Sequence, residues 1–216
     1  MGENEWILKH STAVRMFHYV LAPSFVVLAL SGLVLFFDPF GEQAMNTWMK
    51  IHVVLGVILT IDVIGYLLIG FDKVALFIKR VFAVNKNDLK WFAVLGGYPQ
   101  KFILRKKVEV PPMEKYNSGQ KLFGVCVIIG GALLLWTGWG LWALPHVLPR
   151  GLTLWFGHLH LIVGWGLILF LLVHVFLGIY MFDDFKSMFL DGRIPYEKAK
   201  EASPLWVERE LVEVKE

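Results

Sequence analysis

Cysteine is almost absent from this sequence, which contains only Cys126 in its 216 residues. One thiol cannot form an internal disulfide bond, supply the ligands of an iron–sulfur cluster or attach a haem through a C-x-x-C-H motif, because each of these needs at least two cysteines. Any redox chemistry in this chain must therefore use a cofactor that histidines hold or that binds without a covalent bond.

Charged residues are also scarce, at 18% of the chain, whereas hydrophobic residues reach 56% and the mean hydropathy is +0.59. A soluble domain of this length cannot bury so much apolar surface, so the composition predicts a membrane protein. The formal net charge of +3 could attract an anionic partner. The basic residues lie in blocks that membrane topology explains better, and we therefore expect no nucleic-acid partner.

Four long apolar segments contain almost no charged residues: 19–37, 51–69, 122–144 and 159–182. Each is close to the roughly 20 residues that a helix needs to cross the hydrocarbon core of a bilayer. The residues before the first segment are too acidic for a signal peptide, so we expect this segment to be retained. Lipid requires every span to satisfy its own backbone hydrogen bonds, and the sequence therefore predicts an all-α integral membrane four-helix bundle. No internal repeat is visible.

Lysine and arginine are distributed very unequally between the two sides of such a bundle. Of the 21 basic residues, only Lys50 and Arg150 lie in the two connections on the opposite side. We expect the chain to lie in the inner membrane of the cell. The positive-inside rule then places both termini, the loop 70–121 and the tail 183–216 on the cytoplasmic side. The loop mixes apolar residues with Lys79 and Arg80, which fits either a short helix on the membrane surface or an ordinary basic loop.

Four of the seven histidines lie in the apolar segments or near their ends: His18, His52, His160 and His174. The last two are fourteen residues apart, which places them on one helix face and about 21 Å apart along the axis. Because successive spans run in opposite directions, His18 lies level with His174 near the inner side, and His52 lies level with His160 near the outer side. The sequence therefore predicts two pairs of iron ligands for two b haems. His158 falls off that face and is interpreted as an interfacial residue.

Glycines accompany the predicted ligands. Gly56 and Gly164 each follow a histidine by four residues and so lie on the same helix face, one turn further along. The lack of a side chain there would let a flat macrocycle approach the backbone. Gly32 lies fourteen residues after His18 and reaches the level of the outer haem. Small residues are equally typical of close helix contacts in membrane bundles, and this alternative stays open.

Several short motifs carry a resemblance to a known family. They are Arg15-x-x-His18 before the first span, His52-x-x-x-Gly56 in the second, the run Lys115-Tyr116-Asn117-Ser118-Gly119-Gln120-Lys121 before the third, and His160-x-x-x-Gly164 followed by His174 in the fourth. In this combination the chain resembles the cytochrome b (gamma) subunit of respiratory formate dehydrogenase over most of its length.

The resemblance implies the electron-transferring, quinone-reducing subunit of a multi-subunit oxidoreductase, which does not itself carry the formate-oxidising site. Its partners would be an iron–sulfur subunit and a catalytic subunit with a molybdenum or tungsten pterin. Electrons would pass through two b haems to menaquinone or another quinone near the inner haem. The implied quinone-site residues are Asn117, Gly119 and Gln120, together with His174. Asn117 before an apolar run is also typical of an ordinary helix cap.

Two other functions stay open at this point. Related four-helix cytochromes serve hydrogenases and thiosulfate or polysulfide reductases, where electrons could leave the quinol instead. A haem-free proton or ion transporter could use the buried histidines together with Asp62. This carboxylate lies near the middle of the second span, where it is costly and where the family pattern has an apolar residue. It could be protonated, hydrogen-bonded to a haem propionate or to water, or the start of a proton path.

Overall fold

The computed structural model describes residues 5–212, and helices dominate it. The first four residues of the chain and the last four of the predicted tail lie outside the described residues. In chain order the elements are β1 (Trp6–Leu8), α1 (Thr12–Phe37), α2 (Glu42–Ile69), α3 (Phe71–Phe82), α4 (Lys86–Val94), a 3-10 turn (Leu95–Gly97), α5 (Tyr98–Phe102), α6 (Ser118–Ala143), α7 (Arg150–Tyr180), α8 (Phe182–Lys186), a π-helical turn (Ser187–Asp191), β2 (Arg193–Pro195), α9 (Tyr196–Ala202), α10 (Pro204–Trp206) and a second π-helical segment (Val207–Val212).

Four of these helices, α1, α2, α6 and α7, are long and apolar enough to cross a membrane. The shortest contain 26 residues, so each helix is at least about 39 Å long, against a hydrocarbon core of about 30 Å. The predicted all-α membrane bundle is confirmed. Each helix begins before the apolar segment predicted for it, because the preceding residues, which mix polar and apolar side chains, are helical as well. At the other end, α6 and α7 stop at Ala143 and Tyr180, just before the predicted limits.

The four long helices form two hairpins. α1 packs along α2, and α6 packs along α7, whereas the hairpins contact each other at only a few positions. At one of these, the Trp139 indole nitrogen in α6 donates a hydrogen bond of 3.0 Å to the Thr60 hydroxyl in α2. Only 6–17% of the residues in the most apolar stretch of each helix are buried. The side chains of these helices therefore face lipid or the space between the hairpins, and contacts within each hairpin supply most of the packing.

A conventional hydrophobic core lies outside the bundle, where the two ends of the described chain meet. β1 and β2 form a two-stranded antiparallel sheet in which Ile7 pairs with Ile194. Both side chains are buried together with Ala199, Trp206 and Val207. Since β1 precedes the first long helix and β2 follows the last, both ends lie on the same side of the bundle. The sequence did not predict this sheet, and the cytoplasmic identity of the side stays a prediction.

The connection between the two hairpins begins with the helix α3. The sequence left open whether this part of the chain is a short helix or an ordinary basic loop, and the structure contains the helix. α3 packs on α6 through Val81, which is 1% exposed. A Cβ atom at Gly124 in α6 would come within 2.8 Å of the Val81 side chain, so the two helices are in close contact. Phe71, Ile78 and Phe82 are exposed apolar side chains of the same helix.

A buried ion pair joins α4 to the start of α6. The Lys121 ammonium donates hydrogen bonds of 2.9 Å to Asp88 Oδ2 and to the Ala83 carbonyl oxygen, and the Ser118 hydroxyl donates one of 2.8 Å to Asp88 Oδ1. Burial opposes ionisation of Asp88, but hydrogen bonds from Lys121, the Asn85 backbone and Ser118 outweigh it and hold the pKa of this carboxyl below its usual value. The network ties the first turn of α6 to α4.

Candidate functional site

An apolar cavity of about 3210 Å³ runs between the two hairpins. Pockets for drug-sized ligands measure roughly 300–1,000 Å³, so this cavity has room for more than one large planar cofactor. Every residue that the sequence assigned to the site lines it: His18, His52, Gly56, Asn117, Gly119, Gln120, His160, Gly164 and His174. The structure therefore brings these residues together around one space, while their individual roles stay predictions.

The outer pair of histidines lies with its two rings close together in this cavity. The ring centres of His52 in α2 and His160 in α7 are 6.2 Å apart, and the ring planes are inclined at 68°. A metal–imidazole bond is about 2 Å long, so an iron atom bonded to both rings would hold their centres about 6 Å apart. The two side chains are therefore at the separation that a pair of axial ligands requires.

Each outer histidine contacts a hydroxyl group on the other helix of its own hairpin. Ser31 Oγ in α1 lies 2.8 Å from His52 Nδ1, and Thr137 Oγ1 in α6 lies 2.9 Å from His160 Nδ1. Both hydroxyl-bearing residues are fully buried. Because Nδ1 is engaged in this way, Nε2 is the ring nitrogen that remains available to a metal.

Glycines provide the space that these rings and a cofactor need. A Cβ atom at Gly32 would lie 3.5 Å from the His52 ring, and one at Gly138 would lie 3.3 Å from the other outer ring, so each ring packs directly on a glycine. A Cβ atom at Gly56 or Gly164 would meet no atom of the described residues within 4 Å. These two glycines therefore border open space, as the macrocycle interpretation requires.

The inner pair lines the same cavity and is positioned by aromatic side chains. His18 meets the Phe189 ring edge-on with centres 5.3 Å apart, and its buried Nδ1 atom has no hydrogen-bond partner among the described residues. His174 is stacked on Phe123, with centres 4.3 Å apart and planes inclined at 4°. The two histidine pairs are therefore held by different chemistry.

A sequence model of the family described as Prokaryotic cytochrome b561 matches residues 9–190. The chain belongs to this family. Curated relatives include the cytochrome b556(Fdn) subunit of nitrate-inducible formate dehydrogenase from Escherichia coli strain K12, and proteins of the same name from Escherichia coli O157:H7 and Shigella flexneri. Each is 24% identical to this chain over 221 residues, which cover 95% of the chain and 92% of the relative.

Membership of the cytochrome b561 family makes this chain a haem b protein that crosses the inner membrane several times. Its residues fit the cofactor, because paired imidazoles are suitable axial ligands for haem iron and the cavity between the hairpins is apolar. The predicted resemblance to the formate dehydrogenase cytochrome subunit is confirmed by the relatives. The haem-free transporter alternative does not agree with this family.

Three residues of this cytochrome b561-type site escaped the sequence reasoning: Ser31, Thr137 and Gly138. A sequence pattern could have revealed them. In each hairpin the first helix contains a serine or threonine followed by glycine, and the second helix contains His-x-x-x-Gly. The two hairpins therefore repeat one arrangement of side chains around a histidine, although no repeat was recognised in the sequence. A hydroxyl residue beside a glycine is too common in membrane helices to be noticed without the contacts.

Asn117 and Gln120 form a capping box at the first turn of α6. The Asn117 side-chain oxygen accepts a hydrogen bond of 2.9 Å from the Gln120 backbone N–H, and the Gln120 side-chain oxygen accepts one of 3.0 Å from the Asn117 backbone N–H. Asn117 is therefore the helix cap that the sequence offered as the alternative to a quinone-site residue. Because capping uses only the two oxygens, both side-chain NH2 groups stay available as donors at the cavity wall.

Packing accounts for the glycine in this capping turn. A Cβ atom at Gly119 would lie 2.8 Å from Cη2 of Trp91, which is 7% exposed. A second glycine, Gly96, packs against the same indole, since a Cβ atom there would overlap with Trp91 Cζ2. The indole of Trp91 therefore requires a glycine at position 119 independently of any bound quinone.

Basic residues border the cavity outside the long helices. The Lys115 ammonium lies 4.9 Å from the centre of the Trp206 ring, and burial together with Arg80 lowers the pKa of Lys115 to about 8. Burial and the neighbouring Lys9 lower the pKa of His10 to about 3, so this imidazole is neutral at physiological pH. Lys115 and His10 both line the cavity. Because His10 is neutral, the positive charge at this end of the cavity comes from Lys115 and from Arg80, which also lines it, and this charge favours anionic groups such as haem propionates.

Two other residues singled out in the sequence are not part of the cavity wall. His158 is exposed, and its Nδ1 lies 2.7 Å from the Leu154 carbonyl oxygen of its own helix. Asp62 is absent from the residues that line the cavity, and its buried Oδ2 has no hydrogen-bond partner within residues 5–212. The structure therefore gives neither residue a contact with the cavity.

Proposed function

We propose that this chain is the quinone-reducing, electron-transferring subunit of a membrane-bound formate dehydrogenase complex and holds two b haems. The observation that carries the proposal is the outer histidine pair, whose ring centres lie 6.2 Å apart in a cavity that also reaches His18 and His174. Bound haems would supply reversible one-electron transfer. Two imidazoles for each iron leave no open coordination position, which favours electron transfer over oxygen binding.

The two ligand pairs have separate tasks in this proposal. His52 and His160 would hold the outer haem, and His18 and His174 would hold the inner one. Along α7 the two ligands are about 21 Å apart, so the pairs lie at two depths of the bilayer. The positive potential around Lys115 would balance the charge of propionate groups at its end of the cavity.

An iron–sulfur subunit on the outer side and a molybdenum- or tungsten-pterin subunit are the proposed partners. The chain has one cysteine, so electrons that come from an iron–sulfur cluster must come from another polypeptide. The names of the three relatives support formate as the electron source. A large pterin-containing subunit that co-purifies with the chain would support this proposal, whereas a nickel–iron subunit would favour the hydrogenase alternative.

Quinone reduction is proposed beside Asn117, Gln120 and His174. The free NH2 groups of the capping box can donate hydrogen bonds to a quinone carbonyl oxygen. Electrons that arrive from the outer side, with protons taken from the cytoplasm, make the reaction electrogenic. Moving one electron against about 100 mV costs roughly 2.3 kcal/mol, which oxidation of the donor must supply. This arrangement needs no proton channel through the bundle.

Asn117→Ser separates the quinone role of this residue from its capping role. Serine is as good an N-cap as asparagine but has no NH2 donor. We therefore expect an unchanged Tm of the complex and a KM for quinone that rises by about two- to tenfold, the equivalent of one hydrogen bond of about 0.5–1.5 kcal/mol. Steady-state titration with a soluble menaquinone analogue measures the effect.

Asn85→Ser is the matched control for this experiment. Asn85 caps α4 through a capping box of the same kind, formed with Asp88. The control variant should change neither KM nor Tm. A KM for quinone that stays at the wild-type value in Asn117→Ser would contradict the role proposed for the amide group.

Asp62→Asn is expected to leave quinone reduction essentially unchanged. Asp62 does not line the cavity, and the proposed reaction takes its protons from the cytoplasm without a path through α2. Turnover with formate and quinone, compared at equal haem content, measures the effect. Strongly reduced turnover with both haems present would instead indicate a proton path that begins at this carboxylate.

Formate-dependent reduction of the purified complex tests the proposed function as a whole. Formate added under anaerobic conditions should produce the absorption bands of reduced b haem, and a menaquinone analogue added afterwards should reverse them. A complex without b-type absorption would contradict the ligand pairs. A complex whose b-type bands respond to hydrogen and not to formate would contradict the proposed electron source.

A further inference from the structure

The two outer histidines are held by the same local arrangement, once in each hairpin. Ser31 and the glycine that follows it contact the Nδ1 and Cε1 atoms of His52. Thr137 and the glycine that follows it contact the same two atoms of His160. Each ring is therefore fixed on one edge by a hydroxyl group and by direct packing on a backbone that has no side chain.

The hydroxyl groups also lie beside carbonyl oxygens of their own helices. The Ser31 hydroxyl is 3.1 Å from the Leu28 carbonyl oxygen, and the Thr137 hydroxyl is 2.7 Å from the Leu133 carbonyl oxygen. A hydroxyl group has one proton to donate, so an oxygen whose proton goes to the carbonyl presents a lone pair to the imidazole beside it. The tautomer that matches this pattern carries the ring proton on Nδ1 and leaves the lone pair of Nε2 free to bind iron.

We propose that Ser31 and Thr137 are positioning residues of the outer haem, which fix the tautomer and ring orientation of its two axial histidines and lower its midpoint potential. The inference rests on the proposed function, because it needs the outer haem. A ligating histidine becomes more basic when its other nitrogen donates a hydrogen bond. A more basic ligand stabilises ferric iron, and the potential of the outer haem falls accordingly.

The inner pair provides an internal comparison. His18 and His174 contact Phe189 and Phe123, whose rings offer Nδ1 no comparable oxygen acceptor. The hydroxyl contacts therefore lower the potential at the outer level, where electrons are proposed to enter, relative to the inner level, where quinone is proposed to be reduced. This difference makes the transfer from the outer level to the inner level more favourable.

An anaerobic redox titration of the intact complex tests the inference, with both haems followed by absorbance and by the EPR signals of low-spin ferric iron. Thr137→Val removes one hydroxyl group but keeps the branched shape, and Ser31→Ala removes the other. We expect each variant to shift the midpoint potential of one haem to a more positive value. The g values of that haem should change as well, because its axial rings lose a fixed orientation, while the other haem stays unchanged.

Two variants serve as controls. Thr137→Ser keeps a hydroxyl group at the same position and should show the wild-type potential and g values. Ser24→Ala is matched to Ser31→Ala, because Ser24 is buried about two turns earlier on the same face of α1, whereas the histidine contact in this helix is made by Ser31. It should shift neither haem. Loss of the outer haem from Thr137→Val, restored in Thr137→Ser, would also support the inference.

Unchanged potentials and g values in both Thr137→Val and Ser31→Ala would overturn the inference and leave the two haems in place. An equal shift in Ser24→Ala would overturn it too, because the effect would then not depend on contact with a histidine. A wild-type complex without b-type absorption would overturn the proposed function itself. The failure of the inference and the failure of the proposed function are therefore distinguishable.

Discussion

Replacing His160 with alanine is expected to reduce the haem content of the chain from two b haems to one. The outer iron would lose one of its two histidine ligands, whereas the inner pair keeps both of its histidines, of which His174 lies about 21 Å further along the same helix. Formate should no longer reduce the remaining haem, because the outer level is missing, while a quinol should still reduce it. Haem per polypeptide and formate-dependent reduction measure the two effects.

His158→Ala is the matched control, since His158 lies two residues earlier on α7, is exposed and has its Nδ1 beside a carbonyl oxygen of its own helix. This variant should keep both haems and wild-type reduction by formate. Retention of two haems in His160→Ala, or loss of one in His158→Ala, would show that the ligand assignment is wrong.

Replacing Lys121 with methionine is expected to destabilise the folded protein by about 3–5 kcal/mol, because it leaves an unpaired buried carboxylate. Asp88 is 1% exposed and Lys121 is 5% exposed, so water cannot replace the lost ammonium group. The junction between α4 and α6 should loosen, and with it the capping turn at Asn117. The Tm of the purified complex and its KM for quinone report the two consequences.

The double variant Asp88→Asn with Lys121→Met should recover most of the lost stability, since it removes both charges together. Lys73→Met breaks the exposed ion pair with Asp72 and should leave the Tm nearly unchanged. The folded state holds the pKa of Asp88 below its usual value, so the wild-type contribution is complete above the ordinary aspartate pKa and is lost as the pH falls through the lowered one. Equal Tm values for Lys121→Met and Lys73→Met would contradict the importance of the buried pair.

Membrane topology is the reason that the meeting of four histidines around one cavity could be predicted from the sequence. Helix periodicity gives the face of His160 and His174, and alternating span direction gives the depth of His18 and His52. Depth and face together bring all four side chains to one cavity, where the structure places them. The number of long helices was predictable for the same reason, since a bilayer of fixed thickness sets their minimum length, whereas the turns that extend each helix before its apolar segment were not predicted.

The contacts around those ligands could not be predicted in the same way. Whether Ser31 reaches His52 depends on how α1 is rotated against α2, and nothing in either apolar segment alone fixes that rotation. The sheet between β1 and β2 was equally hidden, because each strand has three residues and the two lie at opposite ends of the chain. The roles of Asn117 could be predicted in part, since its capping role follows from the local sequence, whereas its proposed quinone role depends on the fold.

Haem quantification combined with a redox titration of the wild-type complex is the decisive experiment for the two stacked histidine pairs. We predict two b haems for each polypeptide, two resolved midpoint potentials and EPR signals of low-spin iron with two imidazole ligands. A single haem for each chain, or iron with an axial ligand other than histidine, would contradict the arrangement of His18, His52, His160 and His174 described above.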